Sequence, residues 1–395
     1  MSTELAARIA TIAPSGVAEM KRLGNEMEEQ GHEVIYLVQG EPDFDTPAHI
    51  VEAACQALGR GATHYVPGEG LPELRKAVAE KLARDNGLTY DPRTEIVVTT
   101  GGTLGLFAAI MAVVNPGDEV LLTDPTFGPY EAMVGLAGGR PVLVPMLKDD
   151  GCFRLIAEEY ESRITPRTRA MILNSPNNPT GKVMEREELE MVGELALKHD
   201  LFVITDEVYE KLVYDGRRHT SPAELDPALK QRCIVVNSFS KTYAMTGWRL
   251  GYNAANPELT SAMIKVIYQS GRCAAAFVQQ AGIVALRGPQ DCVADMYKAY
   301  ARRRQLLTRL LDKLPGVTCP QPEGTFYVFP DVSSYGLETW DLAKRLLREA
   351  AVVTTPGRYY GIQGEGHLRL SFANSSANIE RGVHRLEQAL TTLTR

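Results

Sequence analysis

Residues 170–207 hold three consecutive segments: AMILNSP (170–176), EREELEMVGELALKHD (185–200) and LFVITDE (201–207). The first and third are short apolar runs that stop abruptly at polar residues. A continuous apolar run of that length suits a parallel strand covered on both faces. The middle segment has helical periodicity, so the stretch reads as strand, helix, strand. The same reading extends outward in both directions. EIVVTT (95–100) is rich in β-formers and LGLFAAIMAVV (104–114) reads as a buried helix. DEVLLTDP (118–125) follows a Pro-Gly turn as a strand, and CIVVNS (233–238) is another apolar run. The alternation predicts an α/β fold with a mostly parallel central sheet flanked by helices.

The pattern changes near residue 290. Long charged helices appear, such as DMYKAYARRRQLLTRLLDKL (295–314), then the short strands TFYVFPD and HLRLSFA and a final helix. This predicts a smaller α+β domain. A chain of 395 residues is too long for one ordinary core. The expected division is a large domain over 48–290 and a small one built from 1–47 and 291–395. The net charge of −7 argues against nucleic acid or an anionic membrane surface as partner. No run is long and apolar enough to span a bilayer, and MSTELAARIATIAPSG lacks the pattern of a signal peptide. The six cysteines are scattered, with no CxxC pair. They read as reduced, small buried side chains in a cytoplasmic protein, with no metal site and no disulfide framework.

In open α/β sheets ligands sit beyond the carboxyl ends of the strands. Past EIVVTT come Gly101, Gly102 and Thr103, then a helix. Past AMILNSP come Asn177, Asn178, Pro179, Thr180 and Gly181. Past LFVIT come Asp206 and Glu207, with Tyr209 close behind, and past CIVVNS comes Lys241. Singly, each has a local explanation: a turn, a helix cap, a solvated lysine. Together on one edge they match the needs of pyridoxal phosphate. That cofactor takes a lysine for a Schiff base and a carboxylate for its pyridine nitrogen. A glycine-rich helix N-terminus and an arginine, here Arg249, suit its phosphate.

The chain resembles the fold-type I, pyridoxal-phosphate-dependent aminotransferases of the class I/II family, in the aspartate aminotransferase superfamily. The resemblance is carried, in order, by GEPDFDTP (40–47), THYVPGEGLPELRKAVA (63–79), NSPNNPTGKV (174–183), TDEVYEKLVYDG (205–216), SFSKTYAMTGWRLGY (238–252), PEGTFYVFPD (322–331) and GEGHLRLSFA (364–373). It implies that Lys241 holds the cofactor covalently and shuttles the proton. It gives Asp206 to the ring nitrogen, and Asn178 and Tyr209 to the ring hydroxyl. Gly102, Thr103, Ser238, Ser240 and Arg249 fall at the phosphate, and Phe127 on the ring face. Arg369 would clamp the substrate α-carboxylate, with Gly40 and Asn178 beside it. Tyr65 would reach the cofactor of a partner subunit, so a homodimer with shared sites is expected.

A lyase or decarboxylase of the same fold would keep Lys241, Asp206 and Arg249, although the Arg369 region favours transfer. A transcription regulator of this fold is expected to carry an added N-terminal DNA-binding domain, and GEPDFDTP already begins at residue 40. A nicotinamide dehydrogenase is excluded because TTGGTLG is not GxGxxG. Aspartate-preferring relatives often carry lysine at the position of Thr103 and threonine at that of Val17. The chain is therefore expected to use a neutral or broad amino donor, with 2-oxoglutarate or pyruvate as acceptor; strict aspartate use is the alternative. Arg272, in YQSGRCAAAF, reads either as a cation that reaches a substrate side-chain carboxylate from the subunit interface or as an ordinary interface or surface arginine. Tyr359 and Tyr360 stand where relatives usually have a small residue and Phe, which predicts an unusual pocket mouth.

Overall fold

A computed structural model of the chain describes Ala6, Arg8, Ile9 and residues 12–149 and 151–393. The extreme N-terminus, read above for a leader, lies largely outside them. The apolar runs form one sheet of seven strands. Across it the order is Ile96–Thr99, Gly251–Ala254, Cys233–Ser238, Phe202–Asp206, Thr168–Asn174, Glu119–Asp124 and Arg140–Pro145. Five of these strands pair in parallel. Gly251–Ala254 runs antiparallel to both of its neighbours. Its four residues, GYNA, carry no apolar run, which is why the sequence pattern does not announce it.

Burial on both faces explains the composition of the central strands. Along Thr168–Asn174 and Cys233–Ser238, alternate residues enter two different cores. Met171 and Leu173 pack on one face with Val203 and Val235. Ala170, Ile172, Ile204 and Val236 pack on the other. The helix Gly101–Val113 lies in that second core with Leu106, Ala109 and Ile110 buried, so it needs no polar face.

A third core gathers the C-terminal elements. The helix Asp291–Leu311 is charged along most of its length, yet it buries Met296, Tyr300, Arg304, Leu307 and Leu311 along one stripe. Buried Arg304 is paired with Asp215, and its guanidinium lies 4.6 Å from the Tyr214 ring centroid. The N-terminal segment joins this region. Ile35 and Tyr36 pair in parallel with Val352 and Val353, and Met20 of the helix Gly16–Glu29 enters the same core. Tyr209, Leu212 and Tyr214 from beyond the sheet also pack there, so this core reaches past the segments that the sequence pattern assigned to it.

All six cysteines are free. Cys233 and Cys319 are buried, as expected, but Cys55 and Cys152 are exposed, contrary to that expectation. Cys55 falls on the outer side of the helix Ala48–Gly59, which turns Ile50, Ala54 and Ala57 inward.

A buried ion pair ties the helix Pro72–Asn86 to the loop after the strand Phe202–Asp206. Lys81 is paired with Glu210, and the Asn86 side-chain amide donates to the other Glu210 oxygen at 2.8 Å. Burial alone would raise the Glu210 carboxyl, but Lys81, His219 and Lys211 outweigh it and hold the group at about 2. A carboxyl depressed in this way stabilises the fold above its unfolded value near 4.5, and loses that contribution as pH falls toward 2. Lys81→Met should therefore lower stability at pH 7 by about 3–5 kcal/mol, because it strands a buried carboxylate. The gap to wild type should narrow as acid protonates Glu210. Denaturant unfolding of both proteins at pH 7 and at pH 4 checks this; a gap that stays constant or widens in acid would contradict it.

Candidate active site

Sheet register brings the site together. Asn174 lies opposite Asp206, Asp206 opposite Val236, and Ser238 opposite Gly251, which also faces Thr99. The strand ends therefore stop at one level, and a cavity of about 420 Å³ opens there. Gly40, Gly102, Thr103, Phe127, Asn178, Asp206, Tyr209, Ser238, Ser240, Lys241, Arg249 and Arg369 all line it. Two sequence-predicted residues do not. Tyr65 is 77% exposed, and the Arg272 guanidinium lies over its ring, 4.4 Å from the centroid.

Lys241 sits on a single helical turn, Phe239–Thr242, directly after a strand. Ser238 caps that turn by accepting the Ser240 N–H at 3.1 Å. The Lys241 Nζ donates to the Gly40 carbonyl at 2.5 Å. Burial pushes its ammonium down to about 8; Glu41 and Asp206 oppose that shift, while Arg369 and Arg249 reinforce it. An amine so placed is neutral far more often than a surface lysine.

Asp206 ends its strand fully inside the protein. Its Oδ2 accepts from the Tyr130 hydroxyl at 2.7 Å, and its Oδ1 from the Val208 N–H at 3.3 Å. Burial pushes the carboxyl up to about 6 despite both bonds and the nearby Lys241. It forms no ion pair among the described residues. A carboxylate in that state favours a cation placed against it.

The anion-binding end is built from backbone. The helix Gly101–Val113 starts with no side-chain cap at Thr100, leaving its first N–H groups for another acceptor. Gly251 allows the neighbouring strand to pass close by: a Cβ there would lie 2.8 Å from the Gly101 carbonyl carbon and the Gly102 nitrogen. The Arg249 guanidinium reaches Gly101 from above, and Ser238 and Ser240 bring two hydroxyls 2.8 Å apart.

At the other end, Arg369 comes from the strand Leu368–Ser371. It donates to the Asn178 Oδ1 at 2.9 Å and to the Val38 carbonyl at 3.0 Å, and its guanidinium lies 4.1 Å from the Tyr327 ring centroid. Its Nε is buried without a partner. The Tyr209 and Tyr327 hydroxyls are 3.0 Å apart, and burial first, then Tyr327, keeps the Tyr209 phenol well above its ordinary value. It is therefore a standing donor. Tyr130, Tyr327, Glu41 and Lys21 line the cavity and were not singled out from the sequence. Tyr327 lay inside TFYVFPD, read as a short strand with no signal of which side chain turns to a ligand.

These residues fit pyridoxal phosphate on their own chemistry. The buried carboxylate without a cation suits a pyridinium nitrogen. The uncapped helix start with Arg249 suits a phosphate, and the Lys241 amine suits an aldehyde.

The family model for aminotransferase class I and II matches residues 32–386. The aromatic-amino-acid aminotransferase 2 of Thermococcus litoralis is 40% identical over 98% of both chains. The aspartate aminotransferase of Pyrococcus abyssi is 41% identical over 97% of both. Among solved structures, the aspartate aminotransferase from Rhizobium meliloti superposes with a TM-score of 0.94 at 39% identity, covering 99% of both chains. With that site in a fold-type I scaffold, the chain belongs to the class I and II aminotransferases, enzymes that use pyridoxal phosphate to move amino groups between amino acids and 2-oxo acids.

Proposed function

We propose that the protein transfers amino groups from neutral or broadly varied L-amino acids to 2-oxoglutarate or pyruvate, with Lys241 as the proton-carrying amine. The observation that carries this reading is one cavity lined by a lysine whose ammonium is pushed down, a buried carboxylate, and a buried arginine whose Nε has no partner. When bound, the cofactor supplies an aldehyde that condenses with amines and a ring that draws electrons from the substrate α-carbon.

Each residue has a task in the reading. The Arg369 guanidinium, lying over the Tyr327 ring and braced by Asn178, receives the α-carboxylate. Asp206 holds a positive charge at the ring nitrogen, and Tyr130 orients its oxygen. Tyr209 and Asn178 donate to the ring hydroxyl. The N–H groups at Gly102 and Thr103, with Ser238, Ser240 and Arg249, take the phosphate, and Phe127 covers the ring face. Lys241 Nζ takes the α-proton and returns it on the acceptor side; a value near 8 makes that amine an effective base at neutral pH.

The broad-donor reading is supported by Thr103 and Val17, neither of which can pair with a side-chain carboxylate. It is supported also by relatives named for aromatic amino acids and for aspartate. A homodimer with shared sites is supported by Tyr65 and Arg272, which stack together at the surface rather than in their own chain's cavity. The division into 48–290 and 1–47 with 291–395 is supported by the pairing of residues 35–36 with 352–353.

Lys241→Ala should lower turnover by at least about 10²-fold. Asp206→Asn should slow α-deprotonation by roughly 10²–10³-fold while cofactor is retained. Single-turnover absorbance changes read both, and wild-type rates would remove either residue from its role. In cofactor-free protein, labelling of Lys241 by an amine reagent should reach half its maximal rate near pH 8, against 10.5 for an ordinary lysine. A midpoint above 10 contradicts that environment.

For substrates, kcat/KM for phenylalanine should come within about tenfold of that for aspartate. A far larger aspartate preference would overturn the broad-donor reading.

Shared sites predict complementation. Mixing Tyr65→Phe with Lys241→Ala subunits should restore part of the activity, because one site of the hybrid carries neither defect. Full activity in a monomer, read by sedimentation, would refute sharing.

A further inference from the structure

Four cationic side chains line the cavity: Lys21, Lys241, Arg249 and Arg369. The last three have tasks at the cofactor or at the substrate α-carboxylate. Lys21 does not, and its surroundings are unusual for a helix lysine. It lies on the helix Gly16–Glu29, which begins at the cavity with Ser15 as its cap. Val17 precedes it by four residues, so the two share one face of the helix and both line the cavity. The acidic neighbours are engaged elsewhere. Glu19 and Glu26 are both paired with Arg22, and Glu28 accepts from the Tyr36 hydroxyl at 2.9 Å. Among the described residues, Lys21 has no hydrogen bond or ion pair. It is half-buried beside the cavity, and Glu41, which lines the same cavity, is not paired with it but accepts from the Thr246 hydroxyl at 3.0 Å.

An aromatic ring packs against the start of the same helix. Tyr359 packs into the space left by the glycine at 16, where a Cβ would meet its ring at 2.7 Å, and it also lies against Gly128. Val17, Phe127 and Tyr359 therefore bound an apolar slot, with Lys21 one helical turn beyond Val17. A neutral or aromatic side chain is accommodated by the slot alone. A side chain ending in a carboxylate has an unpaired cation within the same cavity.

We propose that Lys21 is the specificity residue that reads the side-chain carboxylate of dicarboxylic substrates. It would let one pocket accept a neutral donor and then 2-oxoglutarate. This rests on the aminotransferase reading and deepens its substrate side; it replaces Arg272 in that role with a residue of the same chain's cavity. The gain on offer is a charge-assisted hydrogen bond in a partly desolvated setting, and losing one costs roughly tenfold to a hundredfold in affinity.

The test uses holoenzyme of wild type, Lys21→Met, Lys21→Arg and Arg272→Ala. Succinate and propionate binding is measured by calorimetry, and kcat/KM is measured for 2-oxoglutarate and for pyruvate. In Lys21→Met, succinate affinity and 2-oxoglutarate kcat/KM should fall at least about tenfold, while propionate and pyruvate values stay within about twofold. Lys21→Arg should keep most of the dicarboxylate terms. Equal losses for both classes would make Lys21 a structural residue and overturn the proposal. Unchanged dicarboxylate binding, or a loss that appears in Arg272→Ala instead, would also overturn it. Succinate binding reads Lys21 even if the wild-type enzyme prefers pyruvate, so failure of the acceptor assignment is seen separately.

Discussion

A carboxylate buried at the end of a central strand sets the terms for the rest of this site. Asp206 is nearly withdrawn from solvent, and two hydrogen bonds do not offset that cost, since its carboxyl is pushed up to about 6. The fold accepts that cost only because the position is fixed. Asp206 is paired in register with Asn174 on one side and Val236 on the other, both inside continuous apolar strands. Asn174 also donates its side-chain amide to the Asp206 carbonyl at 3.0 Å and accepts the Asn178 N–H at 2.8 Å. The same residue thus holds the carboxylate strand and starts the turn that presents Asn178 to Arg369. A pyridinium placed against Asp206 converts the least favourable group in the cavity into an ion pair.

The parts legible in the sequence were those with a local signature. Buried parallel strands announce themselves as apolar runs, and each ends at the residue that matters. Lys241, Asp206 and Asn178 could be placed on one edge because chain topology alone brings strand ends together. The antiparallel strand Gly251–Ala254 was not legible, because it follows a polar loop and is only four residues long. Its glycine nevertheless decides how closely backbone approaches the helix start at Gly101. Tyr130 was missed for a different reason. It contacts Asp206 across 76 residues of chain, a distance over which no periodicity reports. Lys21 was missed because a lysine among Glu19, Arg22 and Glu26 reads as a solvated helix face. Only the fold reveals that the others pair among themselves and leave this one toward the cavity.

A cationic ring nitrogen placed against Asp206 would lower its carboxyl. The protein's own groups push it the other way, with burial the largest influence. The two statements describe one linkage. A carboxylate raised by its protein surroundings and lowered by a cationic ligand would bind that ligand more tightly in its ionised form, because the added positive charge offsets the cost of burial.

The two ends of the cavity differ in the elements that build them. The cofactor end is made almost wholly from the sheet and its first helix: Gly102, Asp206, Ser238, Lys241 and Arg249 sit within a few residues of strand termini. The substrate end is assembled from distant segments. Arg369 comes from a C-terminal strand, Val38 and Gly40 from the N-terminal stretch, and Tyr359 from a short turn late in the chain. Lys21 and Val17 lie on a helix that shares no strand with the sheet. On the proposed reading, changes on that helix alter which side chain is accepted and leave Asp206, Lys241 and Arg249 in place. Of the positions where the sequence departs from the pattern it otherwise follows, Val17 and the Tyr359–Tyr360 pair lie on these distant segments, whereas Thr103 lies on the first helix itself.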